Sequence, residues 1–177
     1  MKSISSPLDL STIESLQAGD LVALSGVIFT ARDQAHKRLV ALIEAGGPLP
    51  VDLIGQTIYY AGPAPASPGR VIGSIGPTTS SRMDPYTPAM LDYGIKGMIG
   101  KGSRSGGVKD AIRDAGAVYF VATGGAAAYL AGFVVKAEVI AFAELGPEAV
   151  YRLEVKNMPL VVGVDCQGRS GLWPDVS

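Results

Sequence analysis

GPTTSSRMDPYTPAMLDYGIKGMIGKGSRSGG, from Gly76 to Gly107, holds two polar loops, each set between an apolar run and an expected helix. A polar loop, Gly76-Pro77-Thr78-Thr79-Ser80-Ser81-Arg82, follows the apolar run Val71–Ile75. A second polar loop, Gly100-Lys101-Gly102-Ser103-Arg104-Ser105-Gly106-Gly107, follows Ile95–Ile99. Each loop leaves an expected strand and enters an expected helix. The first helix runs from Pro85 to Tyr93, with Asp84 as cap and a proline at its first position. The second runs from Val108 to Ala115 and is closed by Gly116. Strand, polar loop and helix in repetition predict a parallel sheet core. The same loops are suited to anions, because helix N-termini present unpaired N–H groups and the positive end of the dipole.

The pattern extends outward in both directions. Leu21–Thr30, LVALSGVIFT, reads as a strand, with Gly26 marking a bulge. Asp33 can cap a helix whose apolar positions Leu39, Val40, Leu42 and Ile43 recur at helical spacing and stop at Gly46-Gly47. Arg32 thus occupies a place analogous to Arg82. Further upstream, Ser11-Thr12-Ile13-Glu14 has the form of a capping box. Pro48–Asp52 is a connector, and Thr57–Ala61 is a strand; Pro63, Pro65 and Pro68 then exclude regular structure up to Gly69. Downstream, Ala117–Thr123 is a strand, Gly124–Leu130 a small-residue helix, and Val134–Ala143 a strand. Val150–Val155 is expected to be a half-exposed strand and Leu160–Asp165 the last, before the tail GRSGLWPDVS. The expectation is mixed α/β with a parallel centre, extra strands at both ends giving β/β/α layering, and one domain over residues 1–177.

Composition bounds the function. Charged residues are 18% of the 177, against about one quarter in an average domain. Either a partner covers part of the surface, or the chain is a Gly/Ala-rich globule. A net charge of −1 argues against non-specific nucleic-acid binding, which needs a basic footprint. Cys166 is the one cysteine, so no internal disulfide and no cysteine metal site can form. The start MKSISSPLDLS lacks a signal-peptide core, and no apolar run reaches the roughly 20 residues of a membrane helix. A soluble cytoplasmic protein is the expectation.

Thr78–Arg82 has two readings. Either the hydroxyls cap a helix and Arg82 pairs with Asp84 or a surface carboxylate, or the guanidinium fork receives a ligand carboxylate. Gly100-Lys101-Gly102 is either a turn with a solvated lysine or a close backbone approach to an anion. It is not a phosphate loop, since GxxxxGK[ST] requires Ser or Thr where Gly102 stands. His36 lies one helical turn after Arg32 and is the single histidine. No nucleophile–base–carboxylate triad can be built from it. Cys166 reads as a buried small side chain and Gly124-Gly125 as a packing element. Several anion-binding groups with no catalytic engine point to a cofactor or partner chain, or to a carboxylate-binding module without catalysis.

TARDQAHKR (Thr30–Arg38), GPTTSSRMD (Gly76–Asp84), IGKGSRS (Ile99–Ser105) and ATGGAAA (Ala122–Ala128) together resemble the iron–sulfur, class I fumarate hydratase and tartrate dehydratase family. The resemblance is to its C-terminal domain, or separate β subunit, over about Leu8 to Gly168. It implies a swivelling β/β/α domain that closes over a [4Fe-4S] cluster held by cysteines of an α subunit. It implies a hetero-oligomer hydrating fumarate to malate, or dehydrating tartrate. By resemblance Arg32, Thr78, Arg82 and Lys101 bind substrate, the arginines and the lysine through its carboxylates; Thr78 and Lys101 are the catalytic candidates, Thr78 as the base for the C–H proton, while His36 receives no chemical role. Removing a proton beside a carboxylate builds enolate-like charge that fixed cations stabilise. A hydroxyl of ordinary pKa is a poor base, so Thr78 would need activation by a neighbouring charge such as Lys101.

Overall fold

The computed structural model describes residues 1–173; the last four residues of the tail lie outside the described residues. The chain opens with β1, Lys2–Ser6, which the sequence reading did not anticipate; Ile4 and Ser6 are buried and the others exposed. α1 follows at Leu10–Ser15. Its cap is Asp9, not Ser11: the Asp9 carboxylate accepts from the Thr12 N–H at 2.6 Å, and Ser11 donates its hydroxyl to Asp9. Then come β2 (Leu21–Thr30), α2 (Asp33–Glu44), β3 (Thr57–Tyr59), α3 (Thr87–Tyr93), β4 (Gly97–Gly100), α4 (Gly106–Ala115) and β5 (Val118–Val121). α5 (Ala127–Ala131), β6 (Val134–Ala141) and β7 (Val150–Val164) complete the order, with 3-10 turns at Ser80–Met83 and Ala143–Glu148.

Seven strands form one sheet in the order β1-β2-β3-β4-β5-β7-β6. β1 to β5 pair in parallel, and β7 runs antiparallel to β2, β5 and β6. Because β7 pairs with both β2 and β5, the strands β2-β3-β4-β5-β7 close on themselves. The architecture is α/β with a mixed, partly parallel sheet, consistent with the swivelling β/β/α class. Period-two alternation sorts the parallel strands onto two cores. Tyr59, Ile99 and Phe120 join the inner cluster, whereas Ile58, Met98 and Tyr119 join the cluster under α2, α3 and α4. α3 has seven residues, too few to be helical alone. Burial of Met90 and Leu91 holds it, each contributing about 2–3 kcal/mol.

Several expectations are corrected. Val71–Ile75 forms no strand, although Ile72 and Ile75 are buried. Its neighbour is the segment of Pro63, Pro65 and Pro68, which cannot donate to a ladder, and a bond from Ala64 N–H to the Ser74 carbonyl (2.9 Å) takes the ladder's place. The two expected strands Val150–Val155 and Leu160–Asp165 are one strand of 15 residues. The polar break between them is absorbed at Asn157, which takes φ +54° and donates its N–H to Ser25 Oγ at 2.9 Å. Opposite lies the expected bulge, between Leu24 and Gly26. Gly26 has φ +103°, and a Cβ there would stand 2.3 Å from the Ser6 carbonyl oxygen, so glycine lets β1 approach. Asp33 does not cap α2; Arg32 is the cap residue and Asp33 begins the helix. α3 starts at Thr87 rather than Pro85, with Tyr86 at the cap position and no side-chain cap; the Asp84 carboxylate is engaged elsewhere. Residues 124–126 turn before the short α5 rather than joining it.

Candidate functional site

The carboxyl ends of β2, β3, β4 and β5 share one edge of the parallel sheet, where α/β folds place their ligands. All four sequence motifs leave that edge. Arg32 follows β2, Thr78 and Arg82 lie on the excursion after β3, Lys101 follows β4, and Gly124 follows β5.

Thr78 and Lys101 are joined through the main chain. Lys101 N–H donates to the Thr78 carbonyl at 3.3 Å, Ser80 N–H donates to the Lys101 carbonyl at 2.9 Å, and Thr79 and Lys101 form a parallel bridge. Thr78 N–H in turn donates to the Tyr60 carbonyl at 2.6 Å. The loop therefore continues the parallel pairing of the sheet for one step beyond β4. Both side chains are half-buried. The Lys101 stem passes Gly124, where a Cβ would lie 3.6 Å from Lys101 Cδ. The ATGGAAA segment, read from sequence as packing, thus borders the lysine.

Arg82 pairs not with Asp84 but with Asp33, a partly exposed carboxylate. Its Nε donates to Oδ1 at 3.0 Å and its Nη2 to Oδ2 at 2.7 Å. Arg82 is 52% exposed, so the pair is worth about 0.2–1 kcal/mol despite its fork geometry. An incoming carboxylate can displace Asp33 at that small cost. Arg32 stands beside it in sequence. Its Nε is buried without a hydrogen-bond partner among the described residues, and Glu148 Oε1 is 4.0 Å away. An unmatched guanidinium nitrogen is a place for an acceptor.

His36 is buried and holds Arg32 in place. Its backbone N–H and its Nδ1 both lie against the Arg32 carbonyl, at 2.8 and 2.9 Å. A carbonyl only accepts, so Nδ1 carries the proton. Burial pulls the imidazole down to about 4, helped by the Arg104 charge. His36 is therefore neutral at pH 7, packed edge-on to Tyr60 with ring centroids 5.3 Å apart.

Sequence reasoning missed the group beneath the loops. The Arg104 side chain is 0% exposed. Nε donates to Asp84 Oδ1 at 2.7 Å, Nη2 to Thr87 Oγ1 at 2.6 Å, and Nη1 to the Tyr60 hydroxyl at 3.3 Å. Its guanidinium lies 5.0 Å from the Tyr119 ring centroid and 5.4 Å from that of Tyr60. Asp84 Oδ2 accepts from Ser105 N–H at 3.0 Å. Tyr119 donates its hydroxyl to the Gly102 carbonyl at 2.7 Å and accepts from Ser80 Oγ at 2.8 Å. Burial holds the Tyr119 phenol above its ordinary pKa, keeping it a neutral donor. No local pattern announces this cluster, since the Asp84 and Thr87 partners of Arg104 stand 20 and 17 residues away.

A [4Fe-4S] cluster needs several cysteine thiolates. Cys166 is the single thiol, and among the described residues no group of His, Cys, Asp or Glu could hold a metal ion. The residues of this chain do not fit the cluster. Likewise, among the described residues no helix is long and apolar enough to cross a membrane.

Comparison with known proteins gives the context of this geometry. The family model described as Fumarase C-terminus matches residues 3–172. The anaerobic class I fumarate hydratase of Escherichia coli is 40% identical over 161 residues, covering 90% of this chain and 29% of that protein. Mitochondrial fumarate hydratase 1 of Leishmania major is 42% identical over 149 residues, covering 83% of this chain and 27% of that protein. A provisionally named L(+)-tartrate dehydratase subunit beta of Methanocaldococcus jannaschii is 40% identical over 164 residues, covering 89% of this chain and 84% of that protein. The chain thus spans less than a third of the two fumarate hydratases and most of the tartrate dehydratase subunit.

Proposed function

The chain belongs to the fumarase C-terminus family, and from that premise we propose that it is the β-type component of a hydro-lyase acting on a small dicarboxylate. Fumarate hydration to malate is the reaction we assign, with tartrate dehydration as the second substrate to test. The observation that carries the reading is the extra step of parallel pairing beyond β4, which sets Thr78 and Lys101 side by side on the edge that also bears Arg32 and Arg82. A relative named as a tartrate dehydratase subunit beta, 84% of which this chain covers, supports a β-type component.

Each residue has a physical role in this reading. Arg82 receives one substrate carboxylate when Asp33 gives way, and Arg32, whose Nε makes no hydrogen bond among the described residues, receives another. Lys101 adds fixed positive charge where proton removal next to a carboxylate builds enolate-like charge. Thr78 takes the C–H proton as an alkoxide, after its own hydroxyl proton has passed to solvent, a release that a positive charge at Lys101 favours. The [4Fe-4S] cluster of the family belongs to an α-type partner, because this chain lacks its ligands. The site is then completed only in a hetero-oligomer, in the cytoplasm.

Co-expression with an α-type chain, anaerobic purification and assay with fumarate, malate and tartrate test this. Joint elution and turnover of one of these acids are expected. A complex that ignores every 2-hydroxy dicarboxylate rejects the reading. Tight dicarboxylate binding by the β chain with no α-type chain to be found would show a binding module instead.

A further inference from the structure

We propose that Arg104 is a positioning residue of the site, setting Thr78, Arg82 and Lys101 relative to one another without touching substrate. This rests on the hydro-lyase reading above. Three lines of contact leave Arg104. Through the Tyr60 side chain it reaches the residue whose carbonyl receives Thr78 N–H at 2.6 Å. Through Asp84 it fixes the end of the 3-10 turn that carries Arg82, and Asp84 ties that turn to Ser105 N–H at 3.0 Å. Through the face of Tyr119 it supports the hydroxyl that holds Gly102 and Ser80 on either side of the Lys101 pairing. His36 packs on the same Tyr60 and holds the Arg32 carbonyl, so the fourth residue also rests on this cluster.

Stability alone does not require such a group. A buried ion pair replaced by well-packed apolar residues is often neutral or even stabilising. What an apolar residue cannot do is point three donors in fixed directions while presenting a flat face to two rings. Arg104 does both, and all of its partners lie under the site loops. Misplacing a reacting group by about 1 Å costs on the order of 100-fold in rate.

The test uses Arg104→Lys, which keeps the charge and loses the fork, with Arg113→Lys on the outer face of α4 as control. Both are assayed in the α–β complex, and amide hydrogen exchange is followed in the full β chain. R104K is expected to lower kcat about 100-fold while changing KM much less. Exchange is expected to rise at residues 78–82 and 101–105 and to stay unchanged in β2 and β7. Wild-type kcat in R104K, or a uniform rise in exchange along the chain, overturns the proposal. If the wild-type complex turns over no dicarboxylate, the hydro-lyase reading fails. The exchange pattern then decides the positioning role by itself.

Discussion

Gly100→Ala should destabilise the protein through one identified collision. A Cβ at Gly100 would lie 1.9 Å from Ser80 Oγ, 2.9 Å from Tyr60 Cδ2 and 3.2 Å from Ser80 Cβ. Ser80 and Tyr60 are both fully buried. If Ser80 keeps its place, the site is overpacked, at a cost of about 1–3 kcal/mol. If Ser80 swings away, its hydroxyl leaves Tyr119, which it meets at 2.8 Å. That costs about 1–3 kcal/mol for a buried polar group left unmatched. Either route therefore costs about 1–3 kcal/mol; a loss of 3 kcal/mol lowers Tm by roughly 6–12 °C in a chain of this size. Ser80→Ala alone should cost about 1 kcal/mol, because Tyr119 still donates to Gly102. It also removes the 1.9 Å contact, so Gly100→Ala should cost at least about 1 kcal/mol less in the S80A background. Urea unfolding of the four proteins, followed by circular dichroism with equal m-values, measures this coupling. Strict additivity of the two substitutions would refute the reasoning, since the collision it names would then not exist.

Other expectations follow from the same geometry. His36 takes up a proton near 6.5 when unfolded and only near about 4 when folded. The unfolded state therefore binds more protons in that window, and stability rises with pH across it. The His36 contribution is complete above pH 6.5 and lost as pH falls towards 4, a change of roughly 3 kcal/mol. Urea midpoints of wild type and His36→Gln at pH 4.5 and 7.5 should show a flatter slope in the variant, and equal slopes would exclude His36 as the source. Arg82→Ala in the complex should raise KM and lower kcat, together about 2–5 kcal/mol for a lost charged contact; unchanged kinetics would remove Arg82 from the site. Thr78→Val keeps the shape and deletes the hydroxyl, so a large loss of kcat is expected, and full turnover would rule out proton transfer by Thr78.

Read by itself, the amino-acid sequence determined the strands and helices from Leu21 to Val121 apart from Val71–Ile75, because hydrophobic period and Gly/Pro punctuation act over a few residues. It also determined the motifs, since the four strings are contiguous. Local chemistry misled where a polar residue had two possible partners. Asp33 and Asp84 both look like helix caps, and each has a carboxylate a short helix could use. The tertiary structure gave them to arginines instead, Arg82 and Arg104, that stand 49 and 20 residues away. β1 was missed because its burial depends on β2 lying beside it, and β7 was split because its break at Asn157 is compensated by Ser25 on another strand. The ring closure, the pairing of Thr78 with Lys101 and the buried Arg104 cluster are contacts between distant segments. Hydrophobic period and turn signals act over a few residues and fix none of these pairings, so only the folded chain decides whether the charge of Arg104 is buried and satisfied.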